Sequence, residues 1–404
     1  MPEAVKFDIL EIRDYYPSIN NPSTSTWVYN QVKSLQEMGH HPLVISPTPI
    51  NPLRKILKKK FRLYDTPSRK IEEYLGTSVI RPPYLKLPRN RLVGFNLRNL
   101  SGCIEKYGFY KGIKLIHAHF GQNGYGALAL KEKLNVPLIT SFYGYDSGEL
   151  AEKFSPYYKQ LILKGDLFLA LSKDMKNDLL RLGFPEQKII IHHLGVNTEL
   201  FIPISRVNKG KYVFLTVARF DKSKGIHLVI DAFGQFLKKK NVDNNEVELR
   251  IVGGGNYEYM LKKQVDELNI ANHVKFINNL ILPNSREIVI NEMQNCDVFI
   301  LASYTLNNKI KEGTPLVLME AQSCGKPCIS TTHAGIPEIL IDQMTGEIVP
   351  ENSVDGILSA ILKLYLSESV CSAYSQNSRK NILDNFNHLK QMEELKVIYD
   401  RFLH

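Results

Sequence analysis

No stretch of this sequence reaches the roughly 18 uninterrupted apolar residues that a membrane-spanning helix needs. Residues 1–12 also carry no apolar signal core. These two absences predict a soluble protein, at most peripheral to a membrane. Cysteine is scarce: Cys103, Cys296, Cys324, Cys328 and Cys371 are the five in 404 residues. They are too few and too scattered for a disulfide framework. Cys324 and Cys328 form the one close pair, and no second Cys or His pair lies near them. They read as two small buried thiols around a helix-to-strand turn rather than as a zinc site. Zinc-finger spacing, an RNP aromatic pair and a helix-turn-helix signature are all missing, so nucleic acid is not an expected partner. What is present in excess is positive charge. A formal net charge of +10 and a pI near 9.1 favour polyanionic partners such as nucleotides or an anionic membrane surface.

A chain of 404 residues exceeds what one hydrophobic core fills, so two domains are expected. Short Val-, Ile- and Leu-rich runs recur from end to end. One series lies at 7–12, 42–46, 115–119, 137–142, 167–171 and 189–192. A second lies at 212–217, 247–252, 274–277, 298–301, 327–331 and 346–349. The runs do not alternate with polar residues, which marks strands buried on both faces of a parallel sheet. Helical patterns fall between most of them, as at 26–38, 172–182, 226–237 and 354–366. Repeated strand–helix units predict an α/β fold with two doubly wound domains. The hinge is expected near 194–210. The first domain then covers 1–200 and is rejoined by a C-terminal helix at 387–404; the second covers 201–386. Two such domains facing a central cleft would bind ligands at the carboxyl ends of their strands.

The most informative stretch is Lys311-Glu312-Gly313-Thr314-Pro315-Leu316, which continues to Glu320. Proline suits the first turn of a helix. The expectation is therefore a helix N-terminus at Gly313 and Thr314, with free N–H groups that attract phosphate. Eight helical steps from Glu312 to Glu320 would rise about 12 Å, the span from the sugar to the ribose of an extended nucleotide-sugar. Taken alone, two glutamates at this spacing fit a capped helix with a solvated Glu at each end better than a binding site. A second stretch, Arg219-Phe220-Asp221-Lys222-Ser223-Lys224-Gly225, follows the first strand of the second domain. Arg219 and Lys224 there can bracket a diphosphate, Arg through paired donors and Lys as a point charge; Lys222 and the 238–240 lysine run read as basic surface. A third, Gly253-Gly254-Gly255, ends a buried strand, where glycine lets backbone approach a ligand.

Together these pieces resemble the retaining glycosyltransferases of family 4, which have the GT-B architecture of two Rossmann-like domains. The resemblance covers nearly the whole chain. It is carried by the 312–320 segment, by Arg219 with Lys224, by 252–255, by Ala334-Gly335-Ile336-Pro337-Glu338 and by Thr345-Gly346. In the first half it is carried by 116–121 and 141–146. The form of the Glu312 segment is similar to members of colanic-acid and capsule type. The resemblance implies that Arg219 and Lys224 bind the diphosphate, that Glu312 contacts the donor sugar and that Glu320 contacts the ribose. It implies that the backbone of Gly313, Thr314, Pro315 and Leu316 lines the pocket with Gly253 and Gly254, and that the strand end at 276–280 meets the base. No Asp-x-Asp pair occurs in the sequence. The leaving charge would then be neutralised without a metal, and neither metal nor cofactor is expected.

Where many relatives carry His near the reacting carbon, this sequence has Tyr143. Tyrosine is a poor base at neutral pH, so Tyr143 is expected to position a ligand. His117 and His119 lie two apart on a strand, with no third metal ligand evident. His119 and Asp146 are weak candidates for touching the acceptor, expected to be a glycan or a lipid-linked sugar. Residues 51–69 interleave seven Lys and Arg with Leu53, Ile56, Leu57 and Phe61. They fit a basic amphipathic helix on an anionic membrane as well as a solvated one, so the expected location is cytoplasmic, with the inner face of the cell membrane as a docking surface. The rival readings are an NAD-dependent enzyme, which leaves Glu312, Arg219 and Lys224 without a joint role, and a non-catalytic nucleotide-sugar-binding homologue, whose only support is Tyr143.

Overall fold

The computed structural model describes residues 6–22, 24–50, 67–87, 92–204, 210–240, 246–279, 285–306 and 311–403. Residues 51–66, most of the basic amphipathic segment, lie outside these. So does position 280, at the end of the stretch expected to meet the base.

The strands are β1 (Ile9–Ile12), β2 (Pro42–Ile45), β3 (Thr48–Ile50), β4 (Ile71–Tyr74), β5 (Thr77–Ile80), β6 (Pro83–Leu85), β7 (Leu115–His119), β8 (Leu138–Ser141), β9 (Leu167–Ala170) and β10 (Ile189–Ile191), followed by β11 (Tyr212–Arg219), β12 (Val247–Gly254), β13 (Val274–Ile277), β14 (Val298–Leu301), β15 (Cys328–Thr331) and β16 (Gly346–Val349). The chain divides into two compact units. Residues 1–192 with 392–404 form the first, and 193–391 form the second.

Among the described residues, the first unit is built on an eight-stranded sheet in the order β10-β9-β8-β7-β1-β2-β5-β4. Its pairs are parallel except β4 with β5. That hairpin was not expected. β4 is Ile-Glu-Glu-Tyr, exposed or half-buried throughout, so it lacks the apolar run of a central strand. It closes through Leu75 and Gly76, both with positive φ (46° and 76°), the turn that matches strand twist. The helix His388–Leu403 ends in this unit. It adds Met392, Leu395, Ile398 and Tyr399 to a core of Ile9, Leu115, Ile139 and Leu169.

The second unit carries a six-stranded parallel sheet in the order β13-β12-β11-β14-β15-β16. Its β11 sends Val213 and Leu215 to one core, with Phe299, Leu318 and Ile382, and Phe214 to another, with Val229, Phe233 and Ile361. Successive residues of a strand point to opposite faces, so a strand feeding two cores must be apolar at every position. This is why the runs read as unbroken hydrophobic stretches.

The unit boundaries differ from those expected at 200 and 387. Val196 N donates to Phe386 O at 2.9 Å, and His388 N donates to Val196 O at 3.0 Å. These bonds tie the segment after β10 into the second unit. No single helix among the described residues is long and apolar enough to cross a membrane; one bent pair, Val354–Leu366 with Glu368–Asn385, passes on length and composition together. Its first helix buries Ile357, Leu358, Ile361 and Leu364 in the second unit's core.

Candidate active site

In the second unit, the predicted residues gather at the carboxyl ends of β11, β12 and β14. β11 ends at Arg219, whose register partner on β12 is Gly254, and Ala218 sits opposite Gly253. Gly253 has φ 149°, and a Cβ there would lie 1.9 Å from Ala218 O. Only glycine permits this approach. Beyond Arg219, Asp221 caps a short helical turn, Lys222–Lys224, by accepting from Ser223 N at 3.0 Å and Ser223 Oγ at 2.7 Å. Burial raises the Asp221 carboxyl, but the Ser223 bonds and the nearby Arg219 and Lys224 charges outweigh it, so it stays below its usual value. Both cations therefore act on one loop. Arg219 is exposed; Lys224 is mostly buried.

Lys224 Nζ forms an ion pair and hydrogen bond with Glu312 Oε1, which also accepts from Ser303 Oγ at 3.2 Å. Burial pushes the Glu312 carboxyl up, but Lys224 foremost, with His333 and Ser303, holds it below its ordinary value. Glu312 is thus an anion next to one fixed cation.

The helix that follows is Leu316–Ser323, with Pro315 extended (ψ 111°) just ahead of it. This corrects the expectation that Pro315 lies within the first turn. Only four of the eight steps from Glu312 to Glu320 are helical, a rise of about 6 Å; 312–315 run as a non-helical strap. The helix's first hydrogen bond is Leu318 N to Pro315 O at 3.0 Å. The N–H groups of Leu316 and Val317 precede it and have no carbonyl within the helix to reach. Gly313, Thr314 and Pro315 are buried, and Thr314 Oγ1 is buried without a hydrogen-bond partner. A buried hydroxyl in that state is costly unless something polar meets it. Glu320 is buried, which raises its carboxyl, while Arg286 at 3.7 Å opposes this. Arg286 itself lies over the Phe201 ring, 5.3 Å from its centroid.

Three further residues complete this group and went unnoticed in the sequence. Glu312 N donates to His333 Nε2 at 3.0 Å, and His333 Nδ1 lies 2.8 Å from Glu351 Oε1. Thr305 N donates to Glu351 Oε2 at 2.8 Å. The one available signal was a histidine directly before Ala334-Gly335-Ile336-Pro337-Glu338.

The first unit brings Tyr143, His119 and Asp146 together, though not as expected. His119 is fully buried, and both ring nitrogens are engaged: Nδ1 with Tyr143 Oη at 2.6 Å and Nε2 with Glu11 Oε2 at 2.8 Å. With both ring nitrogens engaged, His119 offers no free nitrogen to an acceptor, and its hydroxyl partner Tyr143 is the group it orients. Asp146 is also fully buried. Its carboxylate accepts from Gly121 N at 2.8 Å and Tyr143 N at 2.9 Å, joining two loops. Burial pushes its carboxyl up to about 6. Burial also raises the Tyr143 phenol, so it stays neutral.

The third neighbour of the histidine pair is Glu11, which lies opposite His117 in the β1–β7 register. Ligand atoms of Glu11, His117 and His119 lie within 4.8 Å of one another, a spacing that a metal ion can bridge. The four ring nitrogens are already partnered, His117 by Ser141 Oγ at 2.7 Å and Tyr399 Oη at 2.5 Å. Glu11 accepts from His119 and from Tyr399 Oη at 3.1 Å. The trio is a satisfied hydrogen-bond network.

Burial first, then neighbouring positive charge, lowers both His117 and His119 to about 3. A depressed folded value means the unfolded chain takes up protons first as pH falls, so this stability is present above about pH 6.5 and is lost on acidification. Glu11 and Asp146, both raised by burial, act in the opposite sense. The clean observable is a difference. Between about pH 7.5 and pH 5 the loss of unfolding free energy should be smaller in His119→Asn than in wild type, by about 2 kcal/mol. Urea unfolding at both pH values measures it; equal losses would mean His119 is not held neutral.

Two wound α/β units, one presenting a cation–carboxylate pair ahead of an open helix end, define a chain of two Rossmann-like halves with a candidate anion site in the second. The comparisons agree. Glycosyltransferase Family 4 matches residues 24–200 and Glycosyl transferases group 1 matches residues 197–381. This chain belongs to the family 4 glycosyltransferases and has the GT-B fold. It is similar to the putative colanic acid biosynthesis glycosyltransferase WcaL of Salmonella typhimurium, with 30% identity over 67% of this chain and 66% of that one. The Escherichia coli protein of the same name is 31% identical over the same shares. The matched stretch thus spans just under two thirds of these relatives. An Escherichia coli UDP-Gal:alpha-D-GlcNAc-diphosphoundecaprenol alpha-1,3-galactosyltransferase is 27% identical over 75% of this chain and 80% of its own. Among solved structures, sucrose-phosphate synthase from Thermosynechococcus elongatus superposes with a TM-score of 0.77 at 19% identity, covering 98% of this chain and 99% of that one. Anabaena HepE in complex with UDP-glucose gives 0.70 at 16%, covering 98% and 99%.

Proposed function

We propose that this protein moves a sugar from a nucleotide-sugar to a glycan or lipid-linked acceptor, with retention at the anomeric carbon and without a metal ion, in the assembly of a surface polysaccharide. The observation that carries this reading is the Lys224–Glu312 pair set directly before the open end of Leu316–Ser323, with the unpartnered Thr314 hydroxyl beside it. A diphosphate supplies negative charge for Arg219 and the helix end, a second anion for Lys224 beside Glu312, and acceptor oxygens for Thr314 and the free N–H groups. Glu312 accepts hydrogen bonds from donor-sugar hydroxyls, and Glu320 accepts them from the ribose.

In the reaction the bond from the anomeric carbon to the diphosphate oxygen breaks, and a bond to the acceptor oxygen forms on the same face. The acceptor's proton passes to the departing phosphate oxygen. Charge builds on that oxygen in the transition state, where fixed cations and helix N–H groups stabilise it most. Tyr143 stays neutral and positions a ligand in this scheme; no side chain is needed as base. The names of the relatives support the substrate classes: colanic acid for WcaL, and a diphosphoundecaprenol-linked sugar for the galactosyltransferase. The HepE complex with UDP-glucose supports a nucleotide-sugar donor.

The test is a panel of nucleotide-sugars with lipid-linked and free glycan acceptors, with product stereochemistry read by NMR. The expected product keeps the donor's anomeric configuration, and its yield is unchanged by EDTA. An inverted product, or activity lost to EDTA and restored by a divalent cation, would overturn the mechanism.

A further inference from the structure

His333 and Glu351 form a fixed-tautomer strap on the Glu312 loop. A backbone N–H only donates, so His333 Nε2, 3.0 Å from Glu312 N, is the unprotonated acceptor. The ring proton is then on Nδ1, facing Glu351 Oε1 at 2.8 Å. Glu351 is held in place from its other side. Its Oε2 accepts from Thr305 N at 2.8 Å, and Oε1 also lies 3.2 Å from Thr305 Oγ1. Burial would raise the Glu351 carboxyl, but these bonds keep it below its ordinary value, so it stays ionised. His333 is 1% exposed; its Nδ1 also lies 3.2 Å from Thr305 Oγ1, the hydroxyl that sits 3.2 Å from Glu351 Oε1. Thr305 follows β14, His333 follows β15 and Glu351 follows β16. One histidine therefore ties three successive strand ends to the backbone of the residue whose carboxylate meets Lys224.

We propose that His333 is a positioning residue for sugar transfer: Glu351 fixes its Nδ1–H tautomer, and the free Nε2 fixes the Glu312 loop so that the carboxylate faces the donor sugar. This rests on the reading of Glu312 as the donor-sugar contact. Among the hydrogen bonds described, the strap meets the Glu312 backbone and neither Arg219 nor Gly253. Its first effect is therefore on Glu312, and any effect on the diphosphate passes through Lys224 and the segment after Glu312.

The decisive variant is Glu351→Gln, nearly identical in shape. Its amide oxygen can serve Thr305 N–H or His333 Nδ1–H but not both. With the oxygen kept on Thr305 N–H, the NH₂ group faces His333 Nδ1 and the ring proton moves to Nε2, against Glu312 N–H, so the bond to the Glu312 backbone is lost. Four measurements on the full chain decide the matter. Long-range ¹H–¹⁵N NMR of histidine-labelled protein, with His333 assigned by its disappearance in His333→Gln, should give Nδ1–H in wild type and Nε2–H in Glu351→Gln. The kcat/KM for the nucleotide-sugar should fall roughly tenfold in Glu351→Gln, the weight of one hydrogen bond. It should fall further in His333→Ala and less in His333→Gln, whose amide oxygen can accept from Glu312 N–H. Calorimetric affinity for the nucleoside diphosphate should fall less than kcat/KM in Glu351→Gln, and the melting temperature should stay near wild type. An Nε2–H or doubly protonated His333 in wild type would overturn the proposal. So would a flipped tautomer with unchanged kcat/KM, or a parallel loss of diphosphate affinity and melting temperature. If the wild type turns over no nucleotide-sugar, the functional reading fails by itself, and the two NMR tautomers still decide whether the strap exists.

Discussion

Lys224→Met should lower kcat/KM about a thousandfold and destabilise the second unit by about 2–3 kcal/mol. The two effects have separate causes. Lys224 is the cation closest to Glu312, and its loss removes positive charge from the place where the departing diphosphate gains negative charge. A preorganised group of this kind contributes about 3–4 kcal/mol to the transition state, or two to three decades in rate. The stability cost comes from the carboxylate left behind. Glu312 is largely buried, and without Lys224 it keeps only the Ser303 hydroxyl as a side-chain partner among the hydrogen bonds described. Breaking one side of a buried pair costs more than removing both charges. The double variant Lys224→Met/Glu312→Gln should therefore be more stable than Lys224→Met alone while remaining as inactive, a non-additivity expected of residues in contact. Urea unfolding and steady-state kinetics on the three variants measure it. Additive stability losses would show that the pair is not energetically coupled.

The second large effect is structural. Gly253→Ala should cost about 3–5 kcal/mol or prevent folding. The added Cβ would sit 1.9 Å from Ala218 O and 2.9 Å from Phe220 Cε1, at a φ of 149° that alanine rarely adopts. The first of these is backbone, and it belongs to the β11–β12 pairing that sets the height of Arg219. The clash is relieved only by parting the two strands. Gly102→Ala is the control. It lies within the helix Val93–Tyr107 with no atom within 4 Å of the added carbon, and should be neutral or stabilising by up to about 1 kcal/mol. Chemical unfolding of both variants checks the pair; equal costs would mean the close approach at Gly253 is not real.

These sites differ in how far the sequence revealed them. The runs that became β1, β7, β11 and β14 were legible because a parallel strand covered on both faces must be apolar throughout. β4 was not, because an edge strand carrying two glutamates has no such signature. Arg219, Lys224 and Glu312 stood out through residue type and position after strands, but not their arrangement: the sequence gives no reason to expect a direct Lys224–Glu312 bond rather than two groups waiting on a ligand. The Pro315 error arose because proline is accepted both at a helix's first position and just before it. Glu11 is 108 residues from its hydrogen-bond partner His119, and only the β1–β7 register brings them together. His333 was hidden for a different reason. Its functional contact is to a backbone N–H, which no residue pattern encodes.

Tyr143, expected from the sequence to stand where many relatives carry His, is tied into the first unit's buried network. Tyr143 donates to His119 Nδ1 when Glu11, as an anion, holds the proton on Nε2. The phenol is neutral, and its oxygen is oriented by groups from β1 and β7. A neutral, oriented phenol fits the positioning role proposed for Tyr143.

The account's central claim is that the group around Lys224 and Glu312 binds a nucleotide-sugar. Isothermal titration of wild type and Lys224→Met with a set of nucleotide-sugars tests it most directly. At least one should bind the wild type, with affinity about a hundredfold weaker in the variant, or close to 3 kcal/mol. Equal binding by both proteins, or none by the wild type to any of them, would contradict it.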